Sequence, residues 1–216
     1  PVSSDAYNNL GLVYTKLAKF DEALLSYEKA RSITPDLPEL HNNLGTALKC
    51  VGRLDEALSS FRQAITLKPD YTDAHSNLVF AENYRPGHDM ESLFKLHRHW
   101  EETHAQRYYA SWPSHDNLRD PKSRMRIGFV SLDLGHHPVG FFARSLLDNL
   151  QKHEIESVVY SDRIRNDKIT TQIRATVDTW NDTRGLPDDI LAQKILNDQI
   201  DILFDLSGHT GGNRLL

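Results

Sequence analysis

Two short turns in the second half of the chain gather residue types that could handle protons and oxygen ligands. Asp133-Leu134-Gly135-His136-His137-Pro138 follows the apolar run 125–132, and Ser207-Gly208-His209-Thr210-Gly211-Gly212 follows the apolar run 200–206. An imidazole, with an ordinary pKa of about 6.5, can take a proton from a hydroxyl near neutrality or hydrogen-bond a sugar or phosphate. The glycines let a ligand approach the backbone closely or form an anion-binding nest. Residue types alone leave a plainer alternative open, in which His136, His137 and His209 bond nearby carbonyls and the glycines serve tight turns. No glycine fingerprint or phosphate loop follows the first run, which disfavours a self-contained nucleotide site there.

The surrounding pattern must position these turns. Residues 125–132, 156–160, 179–182 and 200–206 read as strands, and 139–151, 168–177 and 188–197 as helices between them. Near-continuous apolar strands joined by helices predict a parallel sheet buried on both faces, one half of a doubly wound fold. Ligands of such sheets collect beyond the carboxyl ends of the strands, so both turns are expected on one rim.

The first part of the chain is periodic. Tyr7, Leu10, Gly11, Tyr14, Ala23, Tyr27, Ala30 and Pro35 recur 34 residues later as His41, Leu44, Gly45, Leu48, Ala57, Phe61, Ala64 and Pro69. This is the tetratricopeptide pattern. It predicts two full helix pairs and a third, partial unit with Val79 where the glycine should stand. Asp21 and Asp55 are expected as N-caps of the second helices, and Cys50 as a small core residue. Asn9, Asn43 and Asn77 recur at the same period although asparagine is a poor helix former, as do Asp5, Glu39 and Asp73. On the first helices of a solenoid the three amides would form a ladder for a peptide backbone, or else bond between repeats and stabilise stacking. The expected division is repeats over 1–84, a connecting helix and proline-punctuated linker over 85–123, and the α/β segment over 124–216.

In the connecting helix, 91–109, His97, Glu101 and His104 share one face. The outer two lie about 10 Å apart along the axis, too far for one metal ion on a straight helix. No metal is expected; that face should be solvated, with Trp100 and Tyr108 packed inward. The composition, 39% hydrophobic and 25% charged over 216 residues, excludes a disordered or collagen-like chain. A net charge of -5 argues against nucleic acid and anionic membranes as partners. A single cysteine and the lack of any long apolar run suggest a cytoplasmic setting, and the ends at Pro1 and Leu216 suggest a piece of a longer protein.

The run from Arg126 through the His136-His137-Pro138 turn to Gly140, followed by Asp201-Ile202-Leu203-Phe204-Asp205-Leu206-Ser207-Gly208-His209-Thr210, resembles the start of the catalytic region of O-GlcNAc transferases, particularly bacterial ones. The upstream repeats match that family's architecture. The resemblance implies a GT-B fold and an inverting, metal-independent transfer from UDP-GlcNAc to protein Ser or Thr hydroxyls. No cofactor is implied. Under it, His137 falls on the active-site histidine, a general base or at least a cleft contact. Asp133, His136, Pro138, His209, Thr210 and Arg214 line the sugar and acceptor cleft, and Asn9, Asn43 and Asn77 hold the acceptor. His209 stands where eukaryotic members have tyrosine, and a second cleft histidine is absent near Thr179-Trp180. UDP-sugar contacts would come mainly from a C-terminal lobe outside this sequence. The competing expectation is a non-enzymatic adaptor whose repeats bind a protein and whose α/β part is inert.

Overall fold

Each period of the repeat folds as a helix pair because its small and aromatic residues fit one another. In the computed structural model, which describes residues 3–87, 89–117, 120, 123–150, 155–209 and 214, the pairs are α1 (Ser4–Lys16) with α2 (Phe20–Ile33) and α3 (Pro38–Cys50) with α4 (Leu54–Leu67). A Cβ on Gly11 would lie 2.5 Å from the Tyr27 ring, and one on Gly45 would lie 2.6 Å from Phe61. Both aromatics are fully buried with Ala23, Ala30, Ala57 and Ala64, so glycine makes room for the ring that fills each pair. The third unit begins with α5 (Thr72–Glu82), where Val79 is buried instead, and continues into α6 (Met90–Trp100).

Several local expectations are corrected. The second helices begin after Lys19 and Arg53 without a side-chain cap; Asp21 and Asp55 sit in the first turns, where they favour the positive helix end. Cys50 is exposed at the last turn of α3, outside the apolar stripe. The helix following the repeats packs with them: the chain divides into Pro1–Ala110 and Ser111–Leu216. It also changes pitch, passing from α6 into a π-helical turn at Glu101–Ala105 and a 3-10 segment at Gln106–Ser111. The wider turn rotates the following side chains relative to a straight helix. His104 is consequently buried rather than solvated beside His97 and Glu101, and Tyr108 is exposed rather than packed inward. Among the described residues no three metal-ligating side chains converge.

The second unit is a four-stranded parallel sheet, with β1 (Met125–Ser131), β2 (Ile155–Ser161), β3 (Thr179–Asp182) and β4 (Ile202–Asp205) in the spatial order β3-β2-β1-β4. Three helices connect them: α7 (Pro138–Leu150), α8 (Lys168–Thr176) and α9 (Asp188–Asn197). Alternate strand residues feed two cores. Ile127, Phe129 and Val159 pack with Ala143 and Leu147 of α7 and Ile173 of α8, whereas Val130, Val158 and Tyr160 pack with Leu191 of α9. The chain thus winds one way through α7 and α8 and returns on the other face through α9. The expected burial on both faces fails for β4, whose Ile202, Leu203 and Phe204 are exposed at the sheet edge.

Candidate active site

The winding reverses between β1 and β4, and there the two polar turns leave the sheet. Val130 pairs with Asp205 in the parallel register, and the Leu206 amide donates to the Val130 carbonyl at 3.1 Å. The turns after Ser131 and Asp205 therefore start side by side at the carboxyl rim, where ligands of open parallel sheets bind.

The first turn is tightly built. The buried Ser131 hydroxyl accepts the Asp133 amide at 3.0 Å, Leu134 drops into the core, and the Gly135 and His137 amides donate to the carbonyls two residues back. A Cβ on Gly140 would stand 2.0 Å from the Gly135 carbonyl oxygen, so the first turn of α7 can rest on this loop only as glycine. Pro138 opens α7, where its missing N–H costs nothing. His137 just before it accepts the Val139 amide on Nδ1 at 3.3 Å. That assignment puts the proton of the neutral ring on Nε2, which then donates outward. Asp133, largely buried, brings Oδ1 to 3.9 Å from the same Nδ1. A modest ring rotation that exchanged Val139 for Asp133 would favour the other tautomer, with the proton passed through solvent from Nε2 to Nδ1, and free the Nε2 lone pair to act as a base. His136 is exposed, with its ring edge-on to Phe141 at 5.4 Å.

In the second turn, Asp205 Oδ1 accepts the Ser207 and Gly208 amides at 2.6 and 3.3 Å, and Gly208 adopts a left-handed φ of 53°. His209 follows, partly buried. Thr210 lies outside the described residues. Arg214 does not present a free guanidinium. Its Nε and Nη2 donate to Asp162 at 2.7 and 3.1 Å, Nη1 donates to the Leu186 carbonyl at 2.8 Å and to Asp188, and Nη2 reaches the Thr183 carbonyl at 3.5 Å. All five donors face protein acceptors. Asp162 first, and then Asp188, push the guanidinium pKa up, so it stays charged as an anchor.

Sequence reasoning missed the loop after β2, which reaches the same rim. There Asp167 caps α8, accepting the Thr170 amide on Oδ1 at 2.9 Å; its Oδ2 takes the His136 amide at 2.7 Å and Arg163 Nη2 at 2.8 Å. The His136 amide foremost, and then the Thr170 amide, hold the Asp167 carboxyl down at about 2. The signal was available, since Asp167 stands three residues before Thr170 at the start of an apolar helical pattern.

Two of the three periodic amides bond between repeats. Asn43 Nδ2 donates to Asn8 Oδ1 at 3.1 Å and Asn77 Nδ2 to Asn42 Oδ1 at 2.9 Å, so both are used between repeats, while Asn9 is exposed.

Residues 2–70 match the tetratricopeptide repeat, and residues 103–215 match glycosyl transferase family 41. The chain belongs to glycosyl transferase family 41. A mutant O-GlcNAc transferase of Thermobaculum terrenum superposes on the whole chain with a TM-score of 0.87 at 33% identity, the chain covering 41% of that structure. A protein of Arabidopsis thaliana, named as a probable UDP-N-acetylglucosamine–peptide N-acetylglucosaminyltransferase, SPINDLY, is 35% identical over 144 residues. Its counterpart in Petunia hybrida is 32% identical over 141 residues. Each of these matches covers 63% of this chain and 15% of the relative. The chain therefore spans a minor part of the family 41 proteins it matches, and the part it spans includes the His137 turn and β4.

Proposed function

We propose that this chain is the acceptor-binding end and first catalytic wall of a protein O-glycosyltransferase that transfers N-acetylglucosamine from UDP-GlcNAc to Ser or Thr hydroxyls with inversion. The observation that carries the reading is the His137 turn, held rigidly beside the β4 turn at the reversal point of a parallel sheet, in a chain that superposes along its whole length on an O-GlcNAc transferase. In this arrangement His137 meets the substrate through Nε2. It donates a hydrogen bond to a sugar, phosphate or acceptor oxygen while Val139 holds Nδ1, and it becomes a base when Nδ1–H turns to Asp133. His136, Pro138 and His209 border the same cleft, and Arg214 shapes it as an anchor. The repeats hold the acceptor protein, with Asn9 and the remaining faces of Asn43 and Asn77 towards its backbone. No metal takes part, and the UDP moiety rests mainly on a second lobe.

The test is transfer from labelled UDP-GlcNAc to an acceptor protein by the complete protein that carries this chain. His137→Ala is expected to reduce turnover by about a hundredfold, within the range that removal of one positioned acid–base or hydrogen-bonding group produces. Unchanged turnover would remove His137 from the mechanism. A parent protein that binds acceptors but transfers no sugar would favour the adaptor.

A further inference from the structure

The His136-His137-Pro138 turn is braced from outside its own strand and helix. Two contacts come from the loop after β2, Asp167 on the His136 amide and Arg163 over Gly135, and those two side chains are paired with each other. Asp167 Oδ2 accepts the His136 amide at 2.7 Å and Arg163 Nη2 at 2.8 Å, while Arg163 lies directly over Gly135, where a Cβ would stand 2.1 Å from its guanidinium carbon. Asp167 Oδ1 is separately committed to the Thr170 amide at 2.9 Å and its hydroxyl at 3.2 Å. One oxygen thus caps α8, and the other holds the residue next to His137. A cap alone needs only the first.

We infer that Asp167 is a positioning residue for the reaction: through the His136 amide it fixes the backbone from which His137 presents its ring, and Arg163 clamps the turn from above. This rests on the functional reading of His137 given above. The two oxygens make the roles separable. Asparagine caps a helix about as well as aspartate. In Asp167→Asn the carbonyl oxygen can still cap Thr170, but the amide nitrogen then faces the His136 N–H and Arg163, donor against donor.

In the complete protein, Asp167→Asn is expected to lower kcat about tenfold with donor KM within twofold, and Thr170→Val, which removes only the hydroxyl bond, to leave kcat within twofold. In parallel, the 15N resonances of the His137 ring and the His136 amide proton should shift in Asp167→Asn, with thermal unfolding within a few degrees of the parent. Parent-like turnover and unmoved His137 resonances in Asp167→Asn would overturn the inference and leave Asp167 a helix cap. If the parent transfers no sugar, the functional reading fails on that result, and the His137 resonances alone decide whether Asp167 positions the turn.

Discussion

The two units treat histidine in opposite ways. In the first unit His75 and His104 are buried with ring centroids 4.7 Å apart, and among the described residues the Nε2 atoms of both lack a hydrogen-bond partner. Trp100 packs on His104 with ring centroids 5.5 Å apart, its indole N–H bonded to Ser76 at 2.9 Å. In the second unit His136 and His137 keep their rings towards solvent and have their backbone amides bonded at 2.7 Å each, to Asp167 and to Gly135. The first pair uses its rings for packing and, at His104, for a 3.2 Å bond between Nδ1 and the Thr72 hydroxyl; the second uses its backbone for rigidity and leaves Nε2 of His137 available. Residue type does not separate the two groups. What separates them is which atoms the fold has already engaged.

The largest expected effect breaks the rigid side of this contrast. In Gly140→Ala the added Cβ would meet the Gly135 carbonyl oxygen at 2.0 Å, and both partners are backbone, so neither can swing aside. Destabilisation of the second unit by about 3 kcal/mol is expected, at the upper end of the overpacking range. A urea melt of the variant measures it. A cost below about 1 kcal/mol would show that the turn yields easily and that its rigidity is not what presents His137.

The next effect sharpens the buried side. Burial first, and then the neighbouring His104 and His99, lower the His75 pKa to about 4, and burial lowers that of His104 as well. Histidines neutral when folded and protonated when unfolded contribute stability that is complete above about pH 6.5 and is lost as pH falls towards the folded value. Between pH 7 and 5 the first unit should lose about 1–2 kcal/mol through His75 alone. Urea midpoints across that range test this, and His75→Phe with His104→Leu should flatten the dependence.

The sequence made the architecture legible where one side chain type has one use. Glycine at Gly11 and Gly45, opposite Tyr27 and Phe61, marks both helix pairs, and the apolar runs locate every strand to within two residues of its ends. It says less where use depends on a partner far along the chain. Arg214 resembles a cleft residue, yet its guanidinium is taken by Asp162 and Asp188, 52 and 26 residues away. Asp167 was passed over because its second oxygen acts on His136, 31 residues earlier. The inward turn of His104 follows from a π-helical turn that no periodicity in 91–109 announces.

The smallest effect extends the contrast between engaged and available side chains to the asparagines. Asn43 and Asn77 donate to Asn8 and Asn42 of the preceding repeats, whereas Asn9 occupies the same repeat position exposed. A net side-chain hydrogen bond is worth about 1 kcal/mol. Asn43→Ala and Asn77→Ala should therefore each destabilise the array by about 1 kcal/mol. Acceptor binding reads the other function of the same amides. If the ladder holds a peptide, the Asn→Ala changes weaken acceptor affinity beyond what their loss of stability explains. If instead only the two bonded asparagines matter, and only for stability, the periodic amides are repeat-to-repeat staples and the acceptor is held by other residues of the array.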